Sequence, residues 1–295
     1  MKLSVTNCRL QVPRTAVRAH SCPTFNRRLS TCSHHRAFTL IEMLMVIVII
    51  GILAGLAVPA LKNLGKLESN AGAARQLLDD VGRARQLAIA NHTTVYMIFV
   101  PTNFWVGMNT NIPPLSAAQF SQLVNLCDKQ LSGYTFVSLG QVGDQPGQHV
   151  WHYLAPWQSL PDGSFIAAQK FSGPAYNIVN QATGATYPIS QFLYTNDFFP
   201  FPTEDAPETV DLPYIAFNYL GQLVSEVDTS GNYHDAYIPL AHGSVFPAMD
   251  ANKNFSFSPP DVEEVPPGNS TNTSFNIVHI DWLTGRARLE FQQVQ

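Results

Sequence analysis

The longest apolar stretch of the chain runs from Phe38 to Leu61, and Glu42 is its one ionisable side chain. A helix of about 20 apolar residues crosses a hydrocarbon core of roughly 30 Å and satisfies its own backbone hydrogen bonds, as lipid requires. The stretch therefore predicts a membrane-spanning helix. A carboxylate in such a segment is costly unless paired, which makes Glu42 a candidate functional group. Gly51 and Gly55 stand at the Gly-xxx-Gly spacing that lets helices approach closely in lipid, and Pro59 removes one backbone hydrogen bond. From Lys62 the pattern changes. Leu64, Leu67, Ala71, Ala74, Leu77, Leu78, Val81, Ala84, Leu87 and Ala88 recur at helical spacing, with Glu68, Arg75, Asp79, Asp80, Arg83 and Arg85 filling the other side. This is an amphipathic helix ending near Asn91. One helix over 38–91 would be about 80 Å long at ~1.5 Å per residue.

Beyond Asn91 the pattern turns to strands. Val95–Val100 reads as a strand closed by Pro101, and Phe104–Gly107 is expected to pair with it. Ala117–Leu126 suits a short helix, and Tyr134–Leu139 and Val150–Leu154 suit strands. Residues 156–213 carry Pro, Gly and aromatics with little periodicity, so 108–213 reads as an ordered insertion. Tyr214–Val224 reads as strand, turn at Gly221, strand; residues 225–274 read as polar loop. Asn276–Trp282 and Arg286–Phe291 form a terminal hairpin with Ile280, Trp282, Ala287, Leu289 and Phe291 on its apolar side.

Charge sharpens the division. Residues 1–37 hold seven of the 17 basic side chains and no acid, which reads as a targeting leader. Downstream, 10 basic side chains face 21 acidic ones, a net charge of about −11. A head this acidic excludes nucleic acid as a partner, since phosphate binding depends on Lys and Arg. The basic flank places the leader in the cytoplasm and the head outside. Of four cysteines, only Cys127 lies beyond the leader, so no disulfide within the mature chain is expected.

Ala37-Phe38-Thr39-Leu40-Ile41-Glu42, followed by the apolar run, resembles the signature of type IV prepilins and type II secretion pseudopilins. With Phe38 as first mature residue, Glu42 is fifth and Pro59 twenty-second, as in that family. The family usually has Gly before the cut; here the residue is Ala37, also small. The resemblance implies cleavage between Ala37 and Phe38 by a prepilin peptidase, and N-methylation of Phe38. It implies that Glu42 neutralises the free amine of a neighbouring subunit during assembly. Other pilin-like subunits and an inner-membrane assembly platform would be the further partners. The implied fold is α+β and pilin-like, a long N-terminal helix on an antiparallel β-sheet head. The divisions are a leader at 1–37, a transmembrane half-helix at 38–61, an amphipathic half at 62–91 and a periplasmic head at 92–295. Phe217-x-x-x-Gly221 and the Thr284-Gly285-Arg286 turn resemble the minor subgroup related to the H component of type II secretion. Such a chain would start as a single-pass protein of the bacterial inner membrane and end in a periplasmic filament. The competing class is a membrane-anchored binding or enzymatic domain that uses a pilin-type anchor.

Catalytic patterns are missing from the sequence: no Gly-x-Ser-x-Gly, His-Glu-x-x-His, phosphate loop or Cys-x-x-Cys occurs. A non-enzymatic role without a cofactor is therefore expected. His149 and His152 lack the third and fourth ligands that zinc needs. Asp250, Asn252 and Asn254 alternate like a calcium loop and are weak calcium candidates. The EF-hand pattern fails, with Phe255 where Gly belongs and Asp261 where Glu belongs.

Overall fold

A computed structural model describes residues 39–106, 116–145, 150–179, 183–193, 198–207, 209–228, 230–271 and 276–290, the side chains of 55–70 excepted. The chain divides into two compact units, Met1–Ala54 and Gly55–Gln295. Helix α1, Leu40–Asn91, begins in the first and ends in the second.

The described part of the first unit is the start of α1. Thr39 caps it: its hydroxyl and its carbonyl oxygen both accept from the Glu42 amide, at 3.3 and 3.1 Å. Thr39-x-x-Glu42 is thus the sequence signature of a capping box, which sets where the helix starts. The large apolar side chains from Leu40 to Leu53 are all exposed, from 42% at Val46 to 84% at Leu40. Among the described residues, no helix is long and apolar enough to cross a membrane; the described apolar side chains stop at Ala54.

The second unit carries two five-stranded antiparallel sheets. In the first the order is β10-β1-β2-β3, with β4 also on β2: Tyr214–Phe217, Val95–Phe99, Gly133–Leu139, Trp151–Tyr153 and Gln158–Ser159 in that order of naming. In the second, β12 (Asp261–Glu264), β11 (Ala236–Phe246), β13 (Asn276–Ile280) and β14 (Ala287–Leu289) are neighbours, and β5 (Ser164–Ile166) also pairs with β11. Two small hairpins, β6–β7 (Tyr176–Val179, Thr186–Ile189) and β8–β9 (Phe199–Pro200, Thr209–Val210), and helix α2 (Ala117–Leu126) complete the described elements that matter here. Helix α2 occupies the residues expected for it, capped by Ser116 and Gln119 in a full capping box.

β1 explains the layering. Val95, Met97 and Phe99 face one core; Ile98 and Val100 face another. A strand covered on both sides must be apolar throughout, which is why this one lacks polar alternation. In the first core, Ala73, Ala74, Leu77, Val81, Ala84 and Ala88 of α1 pack with Phe136, Phe217, Ile238 and Val278. In the second, Leu123 and Leu126 of α2 pack with Phe104, Val137, Phe199 and Phe201. From Ala74 to Ala88 the apolar stripe read from the sequence is the buried face of the helix, and the side chains of Leu64 and Leu67 lie outside the described residues.

Two members of the opposite side are not simply solvated. The Tyr134 hydroxyl donates to Asp80 Oδ2 at 2.5 Å, and Arg85 Nε donates to the carbonyls of Thr284 (2.7 Å) and Gly221 (3.2 Å). Burial, then the Asp80 carboxylate, pushes the Tyr134 phenol far above its usual range. Arg85 sits where two turns meet. A side chain at Gly285 would lie 2.0 Å from the Gly221 carbonyl oxygen, so only glycine fits there.

Two expectations are corrected. Residues 102–106 form a turn, not a strand beside β1; both edges of β1 are taken by β2 and β10. Within 108–213 the strand expected at Tyr134–Leu139 is β2, the hydrogen-bonded neighbour of β1, and β5 pairs with β11. The stretch read as polar loop at 225–274 contains β11, the longest strand. Pro239 hid it, because proline argues against a central strand. The N and O of a strand residue face the same edge. The Pro239 carbonyl accepts from Ala167, one residue past β5, so the missing N–H falls where that ladder ends.

Candidate functional site

The residues singled out for processing and assembly are unevenly described. Ala37 and Phe38 lie outside the described residues, as do the side chains of Gly55 and Pro59. Gly51 is described: a Cβ built there meets nothing within 4 Å, so its face of the helix is open to a neighbour. Glu42 is exposed in the first turn of α1. Its backbone is satisfied by Thr39, and the positive end of the helix dipole favours its carboxylate. Among the described residues none is bonded to that carboxylate. The site is thus one acid on an otherwise apolar, outward-facing helix surface, with a cap that fixes the acid one turn from the start.

The calcium candidates have a local explanation. Asp250 Oδ1 accepts from the backbone N–H groups of Asn252 (2.7 Å) and Asn254 (2.9 Å), and Oδ2 from the Asn254 amide (3.3 Å). The hydrogen bond from the Asn254 backbone N–H, above all, holds the Asp250 carboxyl below the usual range. The loop closes as a hairpin, with Lys253 in the left-handed region at φ 64°. Asp228–Asn232 repeats the arrangement with Gly231 at φ 83°, and Asn218–Gln222 repeats it with Gly221 at φ 77°. Among the described residues this hairpin device, in which an Asp or Asn side chain caps the turn, appears three times. Among the described residues, no three His, Cys, Asp or Glu side chains gather to hold a metal. His149 lies outside the described residues; His152 Nε2 is 3.0 Å from Asp144 Oδ2.

The sequence reading missed a buried ionic group. Lys170 and Glu226 are almost wholly buried, with Nζ 3.7 Å from Oε1. Lys170 donates to the Ser190 carbonyl (2.6 Å) and lies 4.8 Å above the Phe192 ring. The Ser190 hydroxyl donates to Glu226 Oε2 at 2.5 Å. Burial pulls the Lys170 ammonium below its usual range, against the pull of Glu226. The available signal was scarcity: from Thr93 onward there are only five Lys and Arg, so each is suspect as a structural choice.

Comparison with known proteins agrees with the N-terminal stretch alone. Residues 32–58 match the model of the prokaryotic N-terminal methylation motif, the prepilin-type cleavage motif of type IV pilins and pseudopilins. That match brackets Ala37, Phe38, Glu42, Gly51 and Gly55. No curated protein and no solved structure matches the chain.

Proposed function

We propose that this chain is the precursor of a minor pilin-like subunit, of the subgroup related to the H component of type II secretion. It serves a type II secretion pseudopilus or a type IV pilus-like filament. In this reading a prepilin peptidase cuts between Ala37 and Phe38 and Phe38 is methylated. The subunit waits in the inner membrane as a single-pass protein with its head in the periplasm. An assembly platform then packs α1 against the helices of other pilin-like subunits, and the role is assembly and not catalysis. The observation that carries the reading is the methylation motif at 32–58, laid on a helix whose described apolar side chains from 40 to 53 are all exposed. Such a surface needs lipid first and other helices afterwards. The carboxylate of Glu42, costly in lipid, is relieved by the amine of an incoming Phe38, which sets the register between subunits. Gly51 and Gly55 permit close approach. The test is mass spectrometry of the N-terminus of protein recovered from membranes. N-methyl-Phe38 is the expected result. An uncut chain, or a cut elsewhere, returns the segment to an ordinary signal anchor.

A further inference from the structure

The second unit carries a cleft of about 670 Å³ that the assembly reading does not use. Its volume lies in the range of small-molecule sites. One wall comes from the β6–β7 hairpin, with Tyr176, Asn177 and Ser190; the other carries Tyr233, Asp235 and Trp282. Tyr233 and Trp282 stack at 17° with centroids 6.0 Å apart, and Tyr233 is 46% exposed. The Trp282 wall is held rigidly from behind. Asp235 Oδ1 accepts from the Trp282 backbone N–H at 2.9 Å, and Oδ2 is 2.7 Å from Nε2 of buried His279. The other ring nitrogen of His279 bonds Glu290, which Arg288 holds at 2.6 Å. Tyr237, also in the lining, stacks face-on against His279 at 4.5 Å.

We infer that this cleft is a binding site for a neutral oligosaccharide. The lining contains no Lys or Arg; it holds the Asp235 carboxylate and the His234 imidazole, on a head already strongly acidic, which disfavours phosphates, nucleotides and acidic sugars. Tyr233 is half-exposed and gives only one of its two faces to Trp282; its other face, of negative potential, attracts the weakly positive C–H groups of a sugar ring. The Asn177 amide supplies both a donor and an acceptor; the Ser190 hydroxyl, whose proton goes to Glu226, and the Asp235 carboxylate, already bonded to Trp282 and His279, add lone pairs that accept. Sugar hydroxyls match both kinds. A polyproline ligand, which also docks on aromatic grooves, presents carbonyl acceptors and leaves the acceptors in the wall unmatched. A quaternary ammonium wants several ring faces turned on one point. Here Tyr233 and Trp282 each give a face to the other, and Tyr237 gives one to His279.

The experiment uses the full chain in a detergent without a sugar headgroup. Cellohexaose, xylohexaose and chitohexaose are titrated by calorimetry, with decaproline and choline as contrasting probes. At least one hexaose should bind with a dissociation constant below about 1 mM. Tyr233→Ala should weaken it about tenfold or more, and Tyr233→Phe, which keeps the stack, by less than about threefold. Asn177→Ala, exposed on the opposite wall, should weaken it severalfold while leaving the unfolding midpoint in place. Tyr219→Ala, an exposed tyrosine elsewhere, should change nothing. Binding of decaproline or choline with no hexaose bound would overturn the inference. So would binding of none of the probes, or hexaose binding indifferent to both Tyr233→Ala and Asn177→Ala.

Discussion

The two units treat apolar surface and acid in opposite ways. From Leu40 to Leu53 the large apolar side chains face outward and the one acid, Glu42, has no partner among the described residues. In the second unit most large apolar side chains are inside, and an acid that goes in with them, Glu226, is met by Lys170 and Ser190. The second unit, which includes the end of α1, supplies these partners itself. The helix start leaves its side chains without partners among the described residues. In the first region a mutation is expected to change what the protein joins; in the second, whether it folds.

The largest effect is expected from Glu42→Ala. Incorporation into filaments should be abolished, while the unfolding midpoint of the chain in detergent stays within experimental error of wild type. Wild-type amounts of the variant in sheared, purified filaments would sink the assembly role of this residue. Next comes Lys170→Met, which leaves Glu226 buried without its cation. Removing one partner of a buried pair costs about 3–5 kcal/mol. Adding Glu226→Gln should recover most of the loss, because the amide oxygen still accepts from Ser190. Urea titration followed by tryptophan fluorescence distinguishes the two. Equal stability of the single and double variants would mean that the pair is not a coupled unit.

How much could be read beforehand divides along the same line. The N-terminal methylation motif, the helix to Asn91, the part of its stripe from Ala74 to Ala88, α2 and the pairing of the terminal hairpin follow from local patterns, while Leu64, Leu67 and Phe291 lie among side chains outside the described residues. Local signals could not show that Asp80 and Arg85 face partners, since those partners are Tyr134 and the turns at Gly221 and Thr284, far away in sequence. Nor could they show β11, whose proline is harmless only because β5 ends beside it. Ser164–Ile166 is too short to carry alternation and becomes a strand only against β11. The cleft wall is the same case: Tyr176, Tyr233 and Trp282 come from three separate segments.

Gly285→Ala should come third, at roughly 2–3 kcal/mol. The residue sits at φ 61°, and its new methyl group would collide with the Gly221 carbonyl over Arg85. Gly231→Ala separates the two contributions. It has a similar backbone, φ 83°, but open space around it, so only the left-handed penalty of roughly 1–2 kcal/mol applies. Equal losses at the two positions would mean that the three-way contact at Arg85 contributes nothing.

The smallest effect is expected from Asp250→Asn, and its smallness is informative. Asn218 already closes a sister hairpin through the same Oδ1 acceptor, so the amide should serve at residue 250 with little change at pH 7. The difference should appear in acid. A carboxyl whose folded value is depressed contributes stability that is complete above its unfolded value of about 3.9 and is lost as pH falls through the folded value. The variant should therefore lose less stability than wild type as pH falls below about 4. Asp228 and Asp281, held low in the same way, keep most of the acid dependence in place. Unfolding midpoints at neutral pH and at about pH 3 measure this directly. Calcium sharpens the result, because the Asp250 oxygens already accept from their own loop. Added calcium should leave the midpoint of both proteins unchanged. A rise in wild type that Asp250→Asn removes would make residues 250–254 a metal loop after all and set that hairpin apart from its two sisters.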